Sequence, residues 1–265
     1  MGIRFSLDLP DIIVITGTAS GLGLELAEVL VSHGAQVIGV DLAGIPQELT
    51  GKKLYSHASG DVSNEATWTE VVQRVETSGA NSIGLATCAA ILDVGDILDT
   101  TEKDWGKAFQ VNVFGTVAAI KALLPIMDRQ RRGSIVVVGS VDSTFAEQQL
   151  VAYCASKGAT RQLARTVALD HARRGVRANV LSPGPMLAGL FKRHMDSASD
   201  RERFISIRAN RQPYGRILEA REVAEAAIFL LSDQAGAING DELMADGGLT
   251  TGFDFRTGEE GASIK

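Results

Sequence analysis

Short β-branched runs alternate with longer stretches of helical apolar spacing from one end of the chain to the other. The strand-like runs are Ile12–Thr16, Gln36–Asp41, Leu54–Ala58, Ser82–Thr87, Ser134–Ser140, Arg177–Ser182 and Asp241–Ala245. Several are continuously apolar, Ile135-Val136-Val137-Val138 most clearly, as parallel strands covered on both faces should be. Between them, Leu22–His33, Glu65–Thr77, Glu102–Met127, Val151–Arg174 and Ala220–Ser232 predict helices. This alternation implies right-handed βαβ crossovers and an α/β fold. The expected architecture is a doubly wound sheet of seven mostly parallel strands with helices on both faces. No linker, repeat or low-complexity tract divides residues 1–265, so a single domain is expected.

Two segments break the rhythm. Residues 183–216 form a long insertion between a strand and a helix, and such connections at strand carboxyl ends carry substrate sites. Within it, Leu187, Leu190, Phe191 and Met195 recur at helical spacing, which predicts a substrate lid over 186–212. The polar, glycine-rich tail 249–265 reads as mobile or packed on another subunit.

Composition narrows the function classes. A formal net charge of −6 argues against nucleic acid as a partner. The run Arg129-Gln130-Arg131-Arg132 reads as a solvated turn before a buried strand. No stretch approaches the roughly 20 consecutive apolar residues of a membrane span, and Met1–Pro10 lacks a signal-peptide pattern. The two cysteines, Cys88 and Cys154, lie in apolar surroundings and read as reduced and buried, which makes the cytoplasm the expected compartment.

Directly after the first strand stands Thr16-Gly17-Thr18-Ala19-Ser20-Gly21-Leu22-Gly23, opening into a helix. Gly17 permits a tight turn, Gly21 lets backbone approach a pyrophosphate, and Gly23 allows close helix–sheet packing. The helix N-terminus supplies free N–H groups and a dipole suited to an anion. The second strand ends at Asp41, whose carboxylate is placed to accept from adenosine ribose hydroxyls and to repel a 2′-phosphate. Alone, Asp41 reads equally well as a turn cap; behind a glycine loop the ribose reading is favoured. Ser20 is neutral where a base could meet a 2′-phosphate, so NAD is expected over NADP.

Tyr153-Cys154-Ala155-Ser156-Lys157 puts a phenol and an ammonium on one helix face, one turn apart. A phenol with pKa near 10 is a poor base at neutral pH, and a nearby cation lowers that value. Ser140, closing the buried fifth strand, can hold a substrate oxygen. A YxxxK pair by itself is most often two residues on an amphipathic helix without chemistry.

Glycine loop, Asp41, Ser140 and the Tyr153/Lys157 pair in this order resemble the short-chain dehydrogenase/reductase family of single-domain type, over Ile12 to Thr250. The resemblance implies a Rossmann-like sheet. It maps the catalytic tetrad onto Asn112, Ser140, Tyr153 and Lys157, with Lys157 also on the nicotinamide ribose and Asn112 holding a proton-relay water. It implies a cofactor set of Gly17, Ser20, Gly21, Leu22, Gly23, Asp41, Leu42, Asp61, Val62, Cys88, Ala89, Ala90, Tyr153, Lys157, Pro183, Gly184 and Met186. Asp246-Gly247-Gly248 matches the family's closing motif. Two positions depart from the pattern. Thr87-Cys88-Ala89-Ala90 stands for Asn-Asn-Ala-Gly, and Ala188 for a threonine, so somewhat weaker cofactor affinity is expected. The family likeness also suggests a homotetramer built through the two long helices.

The expectation is therefore an NAD(H)-dependent oxidoreductase interconverting a small-molecule secondary alcohol and its ketone, with no metal and no membrane or nucleic-acid partner. Alternatives are a 3-oxoacyl-thioester reductase, which usually favours NADPH, and a cofactor-binding regulatory protein without turnover. Substrate contacts are expected from Ile91, Asp142, Glu147, Leu187 and Phe191. Asp93, Val141, Phe145, Met186, Leu190 and Met195 are further pocket candidates.

Overall fold

The computed structural model describes residues 6–196 and 198–252; most of the tail singled out above lies outside them. Seven strands pair in the order β3-β2-β1-β4-β5-β6-β7, every pair parallel. They are β1 Ile12–Thr16, β2 Gln36–Asp41, β3 Tyr55–Ser59, β4 Ile83–Thr87, β5 Gly133–Val138, β6 Val176–Pro183 and β7 Glu242–Ala245. The sheet is thus wholly rather than mostly parallel. Chain order reverses between β1 and β4, and the crevice at that switch point is where such sheets bind ligands.

The helices are α1 Gly21–Ser32, α2 Glu65–Thr77, α3 Glu102–Phe109, α4 Gly115–Gln130, α5 Val151–His171, α6 Gly189–Asp196, α7 Arg201–Arg211 and α8 Ala220–Leu231. The two-residue pleat of β1 explains the layers. Ile12 and Val14 face one core with Trp68 and Val71 of α2, Leu123 and Met127 of α4, and Ala164 of α5. Ile13 and Ile15 face the other with Leu26 and Leu30 of α1 and Ala227 and Leu231 of α8. Fully burying each such large side chain stabilises by about 1.5–3 kcal/mol.

The structure redraws three sequence expectations. The fifth strand stops at Val138, because Ser140 leaves the ladder to cap a 3-10 turn at Val141–Ser143. The long helix expected over Glu102–Met127 is interrupted by a π-turn at Gln110–Phe114 and runs on to Gln130, with Pro125 inside it. The arginine run expected as a solvated turn is solvated, but it begins inside that helix, and two of its members also form surface ion pairs: Arg129 with Glu76 at 2.9 Å and Arg132 with Asp233. Glu102–Gln130 moreover contains an 18-residue window with a mean hydropathy of 1.5, long and apolar enough to cross a membrane. It is a core helix, since Ile120, Leu123, Ile126 and Met127 pack against the sheet.

The insertion holds two helices, α6 and α7, and Leu187 precedes them, its N–H bonded to Leu218 O (2.9 Å). The apolar stripe on α6 is therefore Leu190, Phe191 and Met195 without Leu187. Phe191 and Phe204 pack at 5.6 Å between ring centroids, and the Arg208 guanidinium lies 3.5 Å over the Phe204 ring.

Candidate active site

The loop between β1 and α1 is drawn tight by close backbone approaches. Gly17 has φ +75°, and a Cβ there would stand 2.8 Å from Ala89 N; one at Gly23 would meet Gly17 O at 2.3 Å. Gly21 faces Gly189 at the root of α6, where a Cβ would lie 2.9 Å from the Gly189 Cα. The Leu22 side chain belongs to the core, so any contact it makes with an anion runs through backbone. Ser20, extended and exposed at the N-cap of α1, spends no side-chain bond on capping.

Asp41 does two things at once. Its Oδ2 accepts from Ala19 N and its Oδ1 from Ala43 N, both at 2.9 Å. It thereby tethers the glycine loop to β2, and each oxygen keeps a lone pair for a ribose hydroxyl. Leu42 beside it is 73% exposed, an apolar platform at the open edge. Beyond β3, Asp61 Oδ1 accepts from Ser63 N and Oγ, while Val62 O accepts from Trp68 Nε1 at 2.7 Å.

At the end of β4, Thr87 Oγ1 is buried with no hydrogen-bond partner among the described residues. Burial pushes the neighbouring Cys88 thiol up to about 12, so it is an inert small hydrophobe. Pro183 closes β6, and Gly184 N donates to Ala245 O. A collar of small residues, an orphaned hydroxyl and a helix N-terminus without a side-chain cap fit a dinucleotide lying across the switch point.

The reacting groups meet beyond β5. Lys157, 4% exposed, donates from Nζ to Val138 O at 2.7 Å and sits 5.7 Å from the Tyr153 ring centroid. Burial lowers its pKa to about 8. Tyr153 is held well above the ordinary phenol value, chiefly by burial; a hydrogen bond with Ser140 opposes the rise, and Asp142, Cys154 and Glu147 add to it. The expectation of a phenol lowered by Lys157 is therefore not met in the free protein, where desolvation sets the direction of the shift.

Ser140 Oγ donates to Asp142 Oδ2 at 3.1 Å and accepts from Asp142 N at 3.1 Å. Its single proton is thus contested between Asp142 and Tyr153. Asn112, in the π-turn and 2% exposed, donates from Nδ2 to Ile91 O (3.0 Å) and Ser156 Oγ (2.9 Å), and accepts on Oδ1 from Ile91 N (2.9 Å). It ties the strand-β4 exit to α5. Its amide hydrogens are both spent, and one Oδ1 lone pair is left. Sequence reasoning missed Ser156, whose position three residues after Tyr153 was its only signal.

The remaining substrate candidates separate. Asp142 is buried, whereas Glu147 is exposed at the rim yet near enough to raise both Asp142 and Tyr153. Asp93 pairs outward with Lys107 at 3.7 Å. Leu187 lines a cavity of about 550 Å³ between α1 and α8 with Leu24 and Glu25, on a different lining from Tyr153. Phe191 packs within the helical pair.

Burial, with Glu147 adding to it, lifts the Asp142 carboxyl to about 6. The folded protein holds that proton where the unfolded chain releases it, so the destabilisation is full above pH 6. It fades as pH falls through 6 and is gone below about 4. Asp142→Asn should therefore raise Tm at pH 7.5 by about 5 °C, on the order of 2 kcal/mol after solvent screening. Thermal melts should show that gain falling to roughly half at pH 5; a pH-independent gain would mean the carboxyl is not the cause.

Comparison with known proteins gives consistent matches along the chain. The family model described as enoyl-(acyl carrier protein) reductase matches residues 17–250. 2-(S)-Hydroxypropyl-CoM dehydrogenase 3 of Xanthobacter autotrophicus is 33% identical over 91% of this chain and 96% of its own. Cyclopentanol dehydrogenase of Comamonas testosteroni is 30% identical over 90% and 96%. The ligand-free structure of Thermoplasma acidophilum aldohexose dehydrogenase superposes with a TM-score of 0.85 at 30% identity, covering 95% of this chain and 98% of that one.

Proposed function

Because this chain belongs to the short-chain dehydrogenase/reductase family, an oxidoreductase family acting on alcohols and ketones, we propose that it is an NAD(H)-dependent enzyme interconverting a secondary alcohol and its ketone, with Tyr153 as general acid and base. The observation that carries this reading is the convergence of Ser140, Tyr153 and Lys157 beyond β5, across from the glycine loop. Asp41 at the end of β2 supports NAD over NADP, since a 2′-phosphate would meet its carboxylate.

When bound, the cofactor supplies the hydride acceptor or donor and, oxidised, a positive charge. Gly17 to Gly23 would hold its pyrophosphate, Asp41 the adenosine ribose, and Thr87 and Lys157 the nicotinamide ribose. The burial that raises Tyr153 keeps it protonated, the form that donates to a ketone oxygen during reduction. Oxidation needs the phenolate, so the oxidative rate should climb with pH while the reductive rate falls. Ser140 donates to the substrate oxygen in both directions.

A panel of secondary alcohols with NAD+, scored by NADH absorbance, tests the assignment; turnover of none, with either dinucleotide, would remove it. The matched family description favours a second reading, a thioester reductase. A 3-oxoacyl thioester with NADPH is therefore the control, and Asp41 predicts that it is the poorer pair. The expected assembly is a homotetramer, with Phe114 between α3 and α4 and Leu169 on α5 exposed for it. Light scattering checks this by giving four chain masses.

A further inference from the structure

We propose that Asp142 is a specificity residue that accepts a hydrogen bond from a second hydroxyl on the carbon next to the reacting carbinol, so that the substrate is a vicinal diol and the product an α-hydroxyketone. This rests on the dehydrogenase reading above and deepens it. Hydride passes to the oxidised nicotinamide and the carbinol proton to Tyr153, while the second hydroxyl is retained.

The caps of the local turn do not draw on the Asp142 carboxylate, which takes from the turn only the Ser140 hydroxyl. The 3-10 turn at Val141–Ser143 is capped by Ser140, whose Oγ accepts from Asp142 N, and by Ser143, whose Oγ accepts from Ser140 N at 3.1 Å. Those bonds use the backbone of Asp142 and not its side chain. The carboxylate nonetheless stands in a residue only 8% exposed, and a buried carboxylate is costly unless something answers it. Oδ2 receives the Ser140 hydroxyl at 3.1 Å; Oδ1 receives nothing among the described residues and keeps some accessible surface. An alanine or serine would leave the turn intact, so the acid has a use outside the turn.

The geometry identifies that use. Asp142 interacts electrostatically with Tyr153 and with Lys157, which places its charge beside the reacting groups. Ser140 Oγ would hold the reacting oxygen, and Asp142 lies one hydrogen-bond length from Ser140. Neighbouring gauche hydroxyl oxygens are separated by a similar length, about 2.8 Å. A vicinal diol can therefore donate its second hydroxyl to Asp142 while its reacting oxygen lies against Ser140 Oγ, which frees the Ser140 proton for that oxygen. A monohydric alcohol leaves the carboxylate unanswered and still competing for the Ser140 proton. A hydroxyl suits the position better than an ammonium, because it adds no further charge to a site already holding Lys157 and the oxidised cofactor.

The test compares butane-2,3-diol stereoisomers with butan-2-ol on wild type, Asp142→Asn and Asp142→Ala. The readout is the ratio of kcat/KM for diol over monohydric alcohol, in which any loss from folding or a displaced Ser140 cancels. One diol isomer should exceed butan-2-ol by at least about tenfold in wild type, and Asp142→Ala should cut that ratio about 10- to 100-fold, with Asp142→Asn between. Equal kcat/KM in wild type, or an unchanged ratio in Asp142→Ala, overturns the inference while turnover of butan-2-ol keeps the dehydrogenase reading. Preference for 3-aminobutan-2-ol over the diol overturns the hydroxyl assignment. If no alcohol is oxidised, the dehydrogenase reading fails, and calorimetric titration of the diol into NADH-loaded wild type and Asp142→Ala decides. Tighter binding by wild type supports the contact, and equal binding overturns it.

Discussion

Tyr153→Phe should lower turnover by about 10²- to 10⁴-fold, the usual contribution of a positioned acid–base, while NADH binding stays nearly unchanged. The ring is 8% exposed and phenylalanine fills the same space, so the variant subtracts only the hydroxyl that works with Ser140. Lys157→Ala should damage both turnover and NADH binding. It should also lower stability by about 1–3 kcal/mol, because the Val138 carbonyl that Lys157 satisfies would be buried unpaired. Single-turnover absorbance and cofactor fluorescence separate the two properties. A Tyr153→Phe enzyme retaining more than about a tenth of wild-type turnover would move the acid–base role to another residue.

The wild-type protein should bind NADH on the order of 100-fold more tightly than NADPH, since a 2′-phosphate beside Asp41 sets like charges together at a cost of several kcal/mol. Asp41→Ala should erase most of that preference. Because Asp41 also fastens Ala19 and Ala43, the same variant should weaken NADH itself. Asp41→Asn discriminates the two effects. It keeps an acceptor for one backbone N–H but loses the charge, so selectivity should fall further than NADH affinity. Fluorescence titration measures both, and equal or better NADPH binding by wild type would remove the NAD assignment.

What was legible in the sequence follows from the physics of each element. β1 and β2 were readable to the residue because parallel strands buried on both faces must be apolar without interruption. The glycine loop was readable because only glycine fits where backbone lies within 3 Å of the place a Cβ would occupy. Ser140 was recognisable as a site residue but not as a turn cap, since its role depends on Ser143, three residues on and equally ordinary. Asp142 could not be seen as buried, because an acid in a loop is normally solvated. α7 carries no apolar stripe to announce it, and its contact with α6 runs through Phe204 and the guanidinium of Arg208. The π-turn at Gln110–Phe114 left no trace, for it contains neither proline nor glycine.

That wide turn has a consequence for the phase of the helix in which it sits. The inward positions run Ala108, Asn112, Thr116, Ala119 and Ile120, Leu123, Met127. A regular α-helix bonds each N–H to the carbonyl four residues back, whereas the π-turn at Gln110–Phe114 bonds five residues back and so holds one residue more. The surplus residue is absorbed at Asn112. Deleting any one residue of 110–114 would restore an unbroken α-helix. The two ends would then be rotated by about 100° relative to each other. With α4 seated by Leu123 and Met127, the buried Ala108 would turn out of its place and the Asn112 amide would leave Ile91 and Ser156. The clamp between the β4 exit and the helix of Tyr153 is therefore a matter of angular register as much as of side-chain identity. Asparagine at position 112 works only because the backbone there is one residue too long.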